Sequence, residues 1–113
     1  MKSLSIIIVS YRCWDKLGIC LNSIEQQNTN ALEVIVVDNF SNDGREDAFI
    51  ASHPKVKFVM QKKNGGFAQA CNRGALQASG DYLLFLNPDT ILTTNTLQPL
   101  LEKVEANPDW KLT

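Results

Sequence analysis

Four apolar runs of strand length, each followed at once by a polar cluster, constrain this chain more than any other feature. Ser5-Ile6-Ile7-Ile8-Val9 leads into Ser10-Tyr11-Arg12, and Val34-Ile35-Val36-Val37 leads into Asp38-Asn39. Val56 with Phe58-Val59-Met60 precedes Lys62 to Gly66, and Tyr82-Leu83-Leu84-Phe85-Leu86 precedes Asn87-Pro88-Asp89-Thr90. The first, second and fourth runs are continuous rather than alternating, which is the pattern of parallel strands covered on both faces. The third is poorer and suits a sheet edge. Pro88 cannot donate a ladder hydrogen bond, so pairing of the fourth run should stop near Asn87.

Helical periodicity fills the gaps. Trp14, Leu17, Cys20, Leu21 and Ile24 recur at helical spacing, with Asp15, Lys16, Asn22 and Glu25 on the other side, and Gln26 to Asn30 breaks the pattern. Ser41-Asn42-Asp43-Gly44 is turn chemistry, followed by a short helix over Glu46 to Ala51. Phe67, Ala70, Cys71, Gly74, Ala75 and Ala78 share one helix face, mostly small enough for close approach to a sheet, and Gly80 reads as a left-handed cap. Asn95 with Gln98 reads as a capping box ahead of Leu97, Leu100, Leu101 and Val104, with Asn107-Pro108 as the stop. Such β-α-β alternation implies an α/β domain: a mostly parallel open sheet with helices on both faces. No repeat or linker divides residues 1–113.

The net charge of −1 gives no footprint for nucleic acid or an anionic membrane. No apolar run approaches a membrane span, and Ser5 to Val9 is too short for a signal-peptide core. Cys13, Cys20 and Cys71 match no zinc or redox spacing and read as buried free thiols of a reducing cytosol. His53, the only histidine, precedes Pro54 in a polar connector and suits a surface role.

Parallel strands bring their polar carboxyl ends to one rim, the edge at which open α/β sheets bind ligands. A nucleotide fits these groups. The Asp38 carboxylate can accept from a pyrimidine N3–H or from ribose hydroxyls, Tyr11 can stack on a base, and Gly65-Gly66 lets backbone approach a ligand. Asp89 can hold a divalent cation whose other positions are filled by phosphate oxygens and water.

These residues, in order, resemble the family 2 glycosyltransferases. The resemblance rests on Ser5 to Arg12, Val37-Asp38-Asn39 with Ser41 and Asp43-Gly44, Asn64-Gly65-Gly66-Phe67, Asn72-Arg73-Gly74, and Gly80-Asp81 running into Leu86-Asn87-Pro88-Asp89. It covers almost the whole chain, and the Asn-Pro-Asp-Thr variant is most similar to the rhamnosyltransferase and galactofuranosyltransferase-like branch. The resemblance implies the GT-A fold and inverting, metal-dependent transfer from a UDP- or dTDP-sugar to a glycan or lipid-linked acceptor in cell-surface polysaccharide synthesis. Ser10, Tyr11, Arg12, Asp38 and Asn39 would lie by the base, with Asn64, Gly66 and Asn72 lining the nucleoside and diphosphate region. Asp89 matches the last acid of the Asp-x-Asp motif and would carry Mg²⁺ or Mn²⁺, while Asn87 stands in place of the first acid. Asp81 starts its strand at the far edge of the sheet and is assigned a structural role.

The family's general base and acceptor half lie downstream of that motif. The chain is therefore expected to be a donor-binding portion, inactive in transfer alone and prone to self-association through apolar surface on Tyr82 to Leu86. The location expected is cytoplasmic, at the inner face of the membrane, with peripheral association in the full protein. The alternatives are a dinucleotide-binding Rossmann domain of an oxidoreductase and a non-catalytic receiver-like signalling domain. The first lacks G-x-G-x-x-G after strand one, and the second lacks an acidic cluster there. A nucleotidyltransferase would want a glycine- and basic-rich loop at the same place.

Overall fold

The computed structural model describes residues 3–27, 32–93 and 96–106. Among them the order is β1 (Leu4–Ser10), α1 (Trp14–Glu25), β2 (Leu32–Asp38), α2 (Glu46–Ala51), β3 (Lys57–Met60), α3 (Phe67–Gln77), β4 (Tyr82–Leu86) and α4 (Leu97–Ala106). The strands form one parallel sheet ordered β3-β2-β1-β4. The chain steps outward from β1 to β3, then returns to the other side of β1. The reversal of order makes the carboxyl end of β1 the switch point of the sheet, the place at which open α/β sheets bind ligands.

Each apolar run is continuous because alternate residues feed two cores. On one face Leu4, Ile6, Ile8, Val36 and Leu84 pack with Trp14, Leu17, Cys20, Leu21 and Ile24 of α1 and Leu97 and Leu101 of α4. On the other, Ile7, Ile35 and Val37 meet Ala70 of α3. Each buried Leu or Ile of this kind contributes roughly 1.5–3 kcal/mol, so the α1 face carries most of the hydrophobic stabilisation.

The periodicity of α1 is matched residue for residue, and β3 lies at an edge as expected. β4 is itself an edge strand among the described residues, with only Leu84 buried and Tyr82, Leu83, Phe85 and Leu86 half-covered. A continuous apolar run reports two covered faces, and it carries no information about how many neighbours the strand pairs with. Phe67 is 60% exposed instead of joining the inner face of α3. Cys20 is buried, but Cys13 and Cys71 are only half-buried; all three are free.

Gly80 is not a left-handed cap. The helix ends at Gln77 with Ala78 extended, and Gly80 is absent from the positive-φ glycines, which are Gly44 and Gly66. A Cβ at Gly80 would lie 2.5 Å from Ser5 Oγ and 2.7 Å from Ser5 N. Glycine is there for close passage across β1, where Gly80 N donates to Ser5 Oγ at 2.8 Å.

The start of α4 is held from a distance. Gln27, buried after α1, accepts from Thr96 N (2.8 Å) and Leu97 N (2.9 Å) through Oε1 and donates Nε2 to Thr93 O (2.8 Å). One side chain thus satisfies two orphan amides of a helix terminus. Gln98 reaches Glu102 at 3.3 Å. Asn95 and the Asn107-Pro108 stop lie outside the described residues, as does the side chain of Val104.

Candidate nucleotide site at the carboxyl rim

β1 and β2 are in register with Ser10 beside Asp38, and Asn39 N donates to Ser10 O at 2.8 Å, so the two strands leave the sheet together. Beyond them the loops turn sharply. Every non-glycine residue of positive φ among the described residues is in these two loops: Arg12 (50°), Phe40 (63°) and Asn42 (46°). A bulky aromatic in that region is a true outlier, and such conformations persist where surrounding bonds over-determine them.

The bonds that do so converge on Ser41. Its N donates to Asp38 Oδ2 at 3.0 Å and its Oγ to Asp38 Oδ1 at 2.5 Å. The same Oγ accepts from Arg12 N at 2.8 Å, and Ser41 O accepts from Arg12 Nε at 2.9 Å. The Arg12 guanidinium sits 5.4 Å from the centroid of the Tyr11 ring, which is 46% exposed. Asp38, at 1% exposure, therefore fixes the geometry of the rim. Ser41 occupies two of the roughly four lone-pair directions of an ionised carboxylate.

Asn39 performs a parallel task for the loop after β3. Its Oδ1 accepts from Gly65 N and its Nδ2 donates to Gly66 O, each at 3.3 Å. Asn64 Oδ1 accepts from Gly66 N at 3.0 Å, and Gly66 (φ 89°) then opens α3. That φ favours glycine over any residue with a Cβ. Behind this layer, Trp14 Nε1 donates to both oxygens of Asp43 at 3.0 Å, tying α1 to the second loop. Burial pushes the Asp43 carboxyl up, but the bonds from Trp14 and from backbone amides outweigh it and hold the group below its ordinary value.

After β4, Thr90 N closes a turn onto Asn87 O at 3.1 Å, leaving Asn87 and Asp89 exposed. Burial first, and the Asp89 charge second, push the Cys20 thiol up to about 11, so Cys20 is neutral and no nucleophile. Neighbouring strands lie about 4.8 Å apart, which sets the exits of β2 and β4 roughly 10 Å from one another, with β1 between.

The ten residues singled out from the sequence thus divide by role. Tyr11, Arg12, Asn64, Gly66, Asn87 and Asp89 are exposed on the rim, whereas Ser10, Asp38 and Asn39 are buried beneath it. Ser10 Oγ pairs with Cys13 Sγ at 3.3 Å. Asn72 is exposed along α3 and joins neither network. Asp81 is in the scaffold: its Oδ2 accepts from Ser3 N (2.9 Å) and Ser3 Oγ (3.1 Å) at the opposite edge of the sheet. Sequence reasoning missed the central place of Ser41 and the strained Phe40. An Asp-x-x-Ser spacing, which allows a side chain to bond the backbone three residues on, was the available signal for Ser41.

Among the described residues, no group of three or more His, Cys, Asp or Glu could hold a metal. A single exposed carboxylate such as Asp89 fits a cation shared with a phosphate ligand and does not fit an all-protein cage. No helix among the described residues is long and apolar enough to cross a membrane.

Comparison with known proteins agrees with this architecture. The chain is 30% identical over 105 residues to the glycosyltransferase GlyG of Streptococcus pneumoniae, covering 90% of this chain and 35% of that protein. It is 31% identical to a teichoic acid poly(glycerol phosphate) polymerase of Staphylococcus epidermidis, covering 91% of this chain and 15% of that one. Its fold superposes on the crystal structure of S. aureus TarS 1-349 in complex with UDP-GlcNAc with a TM-score of 0.85 at 24% identity, over 94% of this chain and 32% of that chain. The chain spans about a third of the length of GlyG. The family model described as glycosyl transferase family 2 matches residues 5–110, and the chain belongs to that family.

Proposed function

We propose that the carboxyl rim binds the nucleoside diphosphate of a UDP- or dTDP-sugar, and that the chain is the donor-binding portion of an inverting hexosyl- or rhamnosyltransferase. The observation that carries this reading is the placement of Tyr11-Arg12, Asp38-Asn39 and Asn87-Asp89 on the three adjacent exits around the switch point. Tyr11 offers an exposed ring for stacking on a base. The uncommitted lone pairs of Asp38 offer acceptors for a pyrimidine N3–H, reached once rim atoms that now cover the carboxylate are displaced. The Arg12 guanidinium spends only Nε on Ser41, so its terminal nitrogens can donate to the ligand.

Asp89, with Asn87 beside it, would hold Mg²⁺ or Mn²⁺ together with diphosphate oxygens. The cation would neutralise charge on the leaving diphosphate. Arg12, Asp38 and Asp89 are all given to ligand binding in this reading, and no acceptor-hydroxyl base is assigned among residues 1–113. Donor binding without transfer to an acceptor is the behaviour expected of this chain alone. The acceptor would be a glycan or a lipid-linked acceptor at the cytoplasmic face of the membrane.

Calorimetry with UDP, dTDP, GDP, ADP and NAD, each with and without Mn²⁺, tests the reading. Cation-dependent binding confined to the pyrimidine diphosphates is expected. Equal binding of all the nucleoside diphosphates would remove base recognition from Asp38, and preference for NAD would overturn the assignment.

A further inference from the structure

A cavity of about 350 Å³ opens at the carboxyl end of β3, lined by Met60, Gln61, Lys62, Lys63, Gln69 and Arg73. Its ionisable groups are all cations. The ion pairs found among the described residues are Arg45–Asp15 and Lys57–Glu33, so none of the cavity's three charges is matched by a carboxylate. In a chain of net charge −1 this is a local excess, and gathering like charges in a concave wall costs energy that a bound anion would offset.

The uncharged wall is biased the same way. Gln61 is buried, and its Nε2 donates to Gln69 Oε1 at 2.6 Å. That bond occupies the Gln69 carbonyl and leaves its amide N–H groups as donors. A Cβ on Gly65 would lie 2.5 Å from the same Oε1, so glycine at 65 permits Gln69 to keep this position. Lys62, Lys63 and Arg73 together with the Gln69 amide make a donor set suited to a multiply charged, many-acceptor ligand, and Arg in particular matches phosphate in a bidentate fashion.

We propose that this cavity binds a phosphate group distinct from the diphosphate of the donor. Its lining shares no residue with the rim constellation of Tyr11, Arg12, Asp38 and Asp89. The volume exceeds that of a bare phosphate and falls in the range of small-molecule sites. The ligand is therefore a phosphorylated molecule, either a soluble phosphate ester or the headgroup of an anionic phospholipid.

The test is titration with inorganic phosphate at fixed ionic strength, using the wild-type chain, Lys62→Gln, Arg73→Gln and Asp89→Asn, with UDP titrated in parallel. Saturable phosphate binding is expected, weakened about tenfold or more by Arg73→Gln, the usual effect of losing a charge-assisted donor. UDP affinity should be unchanged in that variant. Absence of saturable binding overturns the proposal, as does binding that survives both Gln variants or that excess UDP abolishes. Co-sedimentation with phosphatidylglycerol vesicles, against phosphatidylcholine vesicles, separates the sources. Association with the anionic vesicles alone, lost in Arg73→Gln, supports a lipid headgroup. Phosphate binding without vesicle association supports a soluble ester.

Discussion

Ser41 Oγ donates to Asp38 Oδ1 at 2.5 Å and accepts from Arg12 N at 2.8 Å, so one hydroxyl joins the exits of β1 and β2. Ser41 is fully buried, as is Asp38 within 1%. Ser41→Ala would leave a buried carboxylate oxygen and the Arg12 amide without that partner. Losing such bonds costs about 1–3 kcal/mol, or a fall in Tm of roughly 4 °C for each kcal/mol in a chain of this size. Thermal unfolding should record that loss, with a weaker UDP interaction beside it. A variant with unchanged stability and unchanged UDP affinity would show that this hydroxyl does not organise the rim.

Asp89 and Asp81 flank the same strand and should behave oppositely. Asp89 is exposed beyond β4, whereas Asp81 is bonded to Ser3 at the start of that strand. Asp89→Asn preserves shape and removes charge, so the cation-dependent part of UDP binding should fall about tenfold or more while Tm holds. Asp81→Asn should lower Tm slightly and leave UDP affinity alone. Calorimetry and melting of the two variants check the division, which fails if both lose affinity equally.

Much of this arrangement was legible because strand polarity and apolar continuity are local signals. Once the runs ending at Ser10, Asp38 and Leu86 are parallel, their polar exits must share a rim. What local signals did not give rests mainly on contacts distant along the chain. Gln27 holds amides at 96 and 97, and Gly80 is required by Ser5, neither of which local periodicity can encode. Net charge likewise averages away the basic wall formed by Lys62, Lys63 and Arg73. The exposure of Phe67 follows from its place at the first turn of α3, where helical phase alone would have turned it inward.

Glu33 supplies a pH-dependent fastening at the amino edge of the sheet. The Ser79 amide bonds it at 2.9 Å and the Ser5 hydroxyl at 2.7 Å. The bond from the Ser79 backbone, aided by those from the Ser5 and Ser79 hydroxyls and by Lys57, outweighs burial and holds the carboxyl below its ordinary 4.5. A carboxyl depressed in the folded state adds stability that is fully present above about pH 4.5 and is lost as pH falls through the lower folded value. The Tm difference between wild type and Glu33→Gln should thus be constant near neutrality and shrink below about pH 4.5. A difference that grows on acidification would show that these bonds do not favour the ionised form.

Gly74 sets the distance between α3 and the sheet, and hence the position of the Asn64-Gly65-Gly66 loop that opens the helix. A Cβ there would sit 2.6 Å from Ile7 Cγ2 and 3.1 Å from Val37 Cγ2, both on buried strand residues. Alanine would gain helix propensity of roughly 1 kcal/mol. Against this, pressing a methyl into a closed core costs typically 1–3 kcal/mol. Clearance of 2.6 Å is far inside van der Waals contact, and Ile7 and Val37 are held by strands on either side, so the clash should win. Gly74→Ala is expected to lower Tm by about 4–8 °C and, by tilting α3, to weaken UDP binding. Gly44→Ala is the comparison: its Cβ would meet nothing within 4 Å, and its φ of 83° leaves only backbone strain. That variant should lose stability without the repacking signature, a change in aliphatic methyl shifts of Ile7 and Val37 by NMR. If Gly74→Ala is as stable as wild type, the helix has room to retreat and glycine at 74 does not fix the height of the loop.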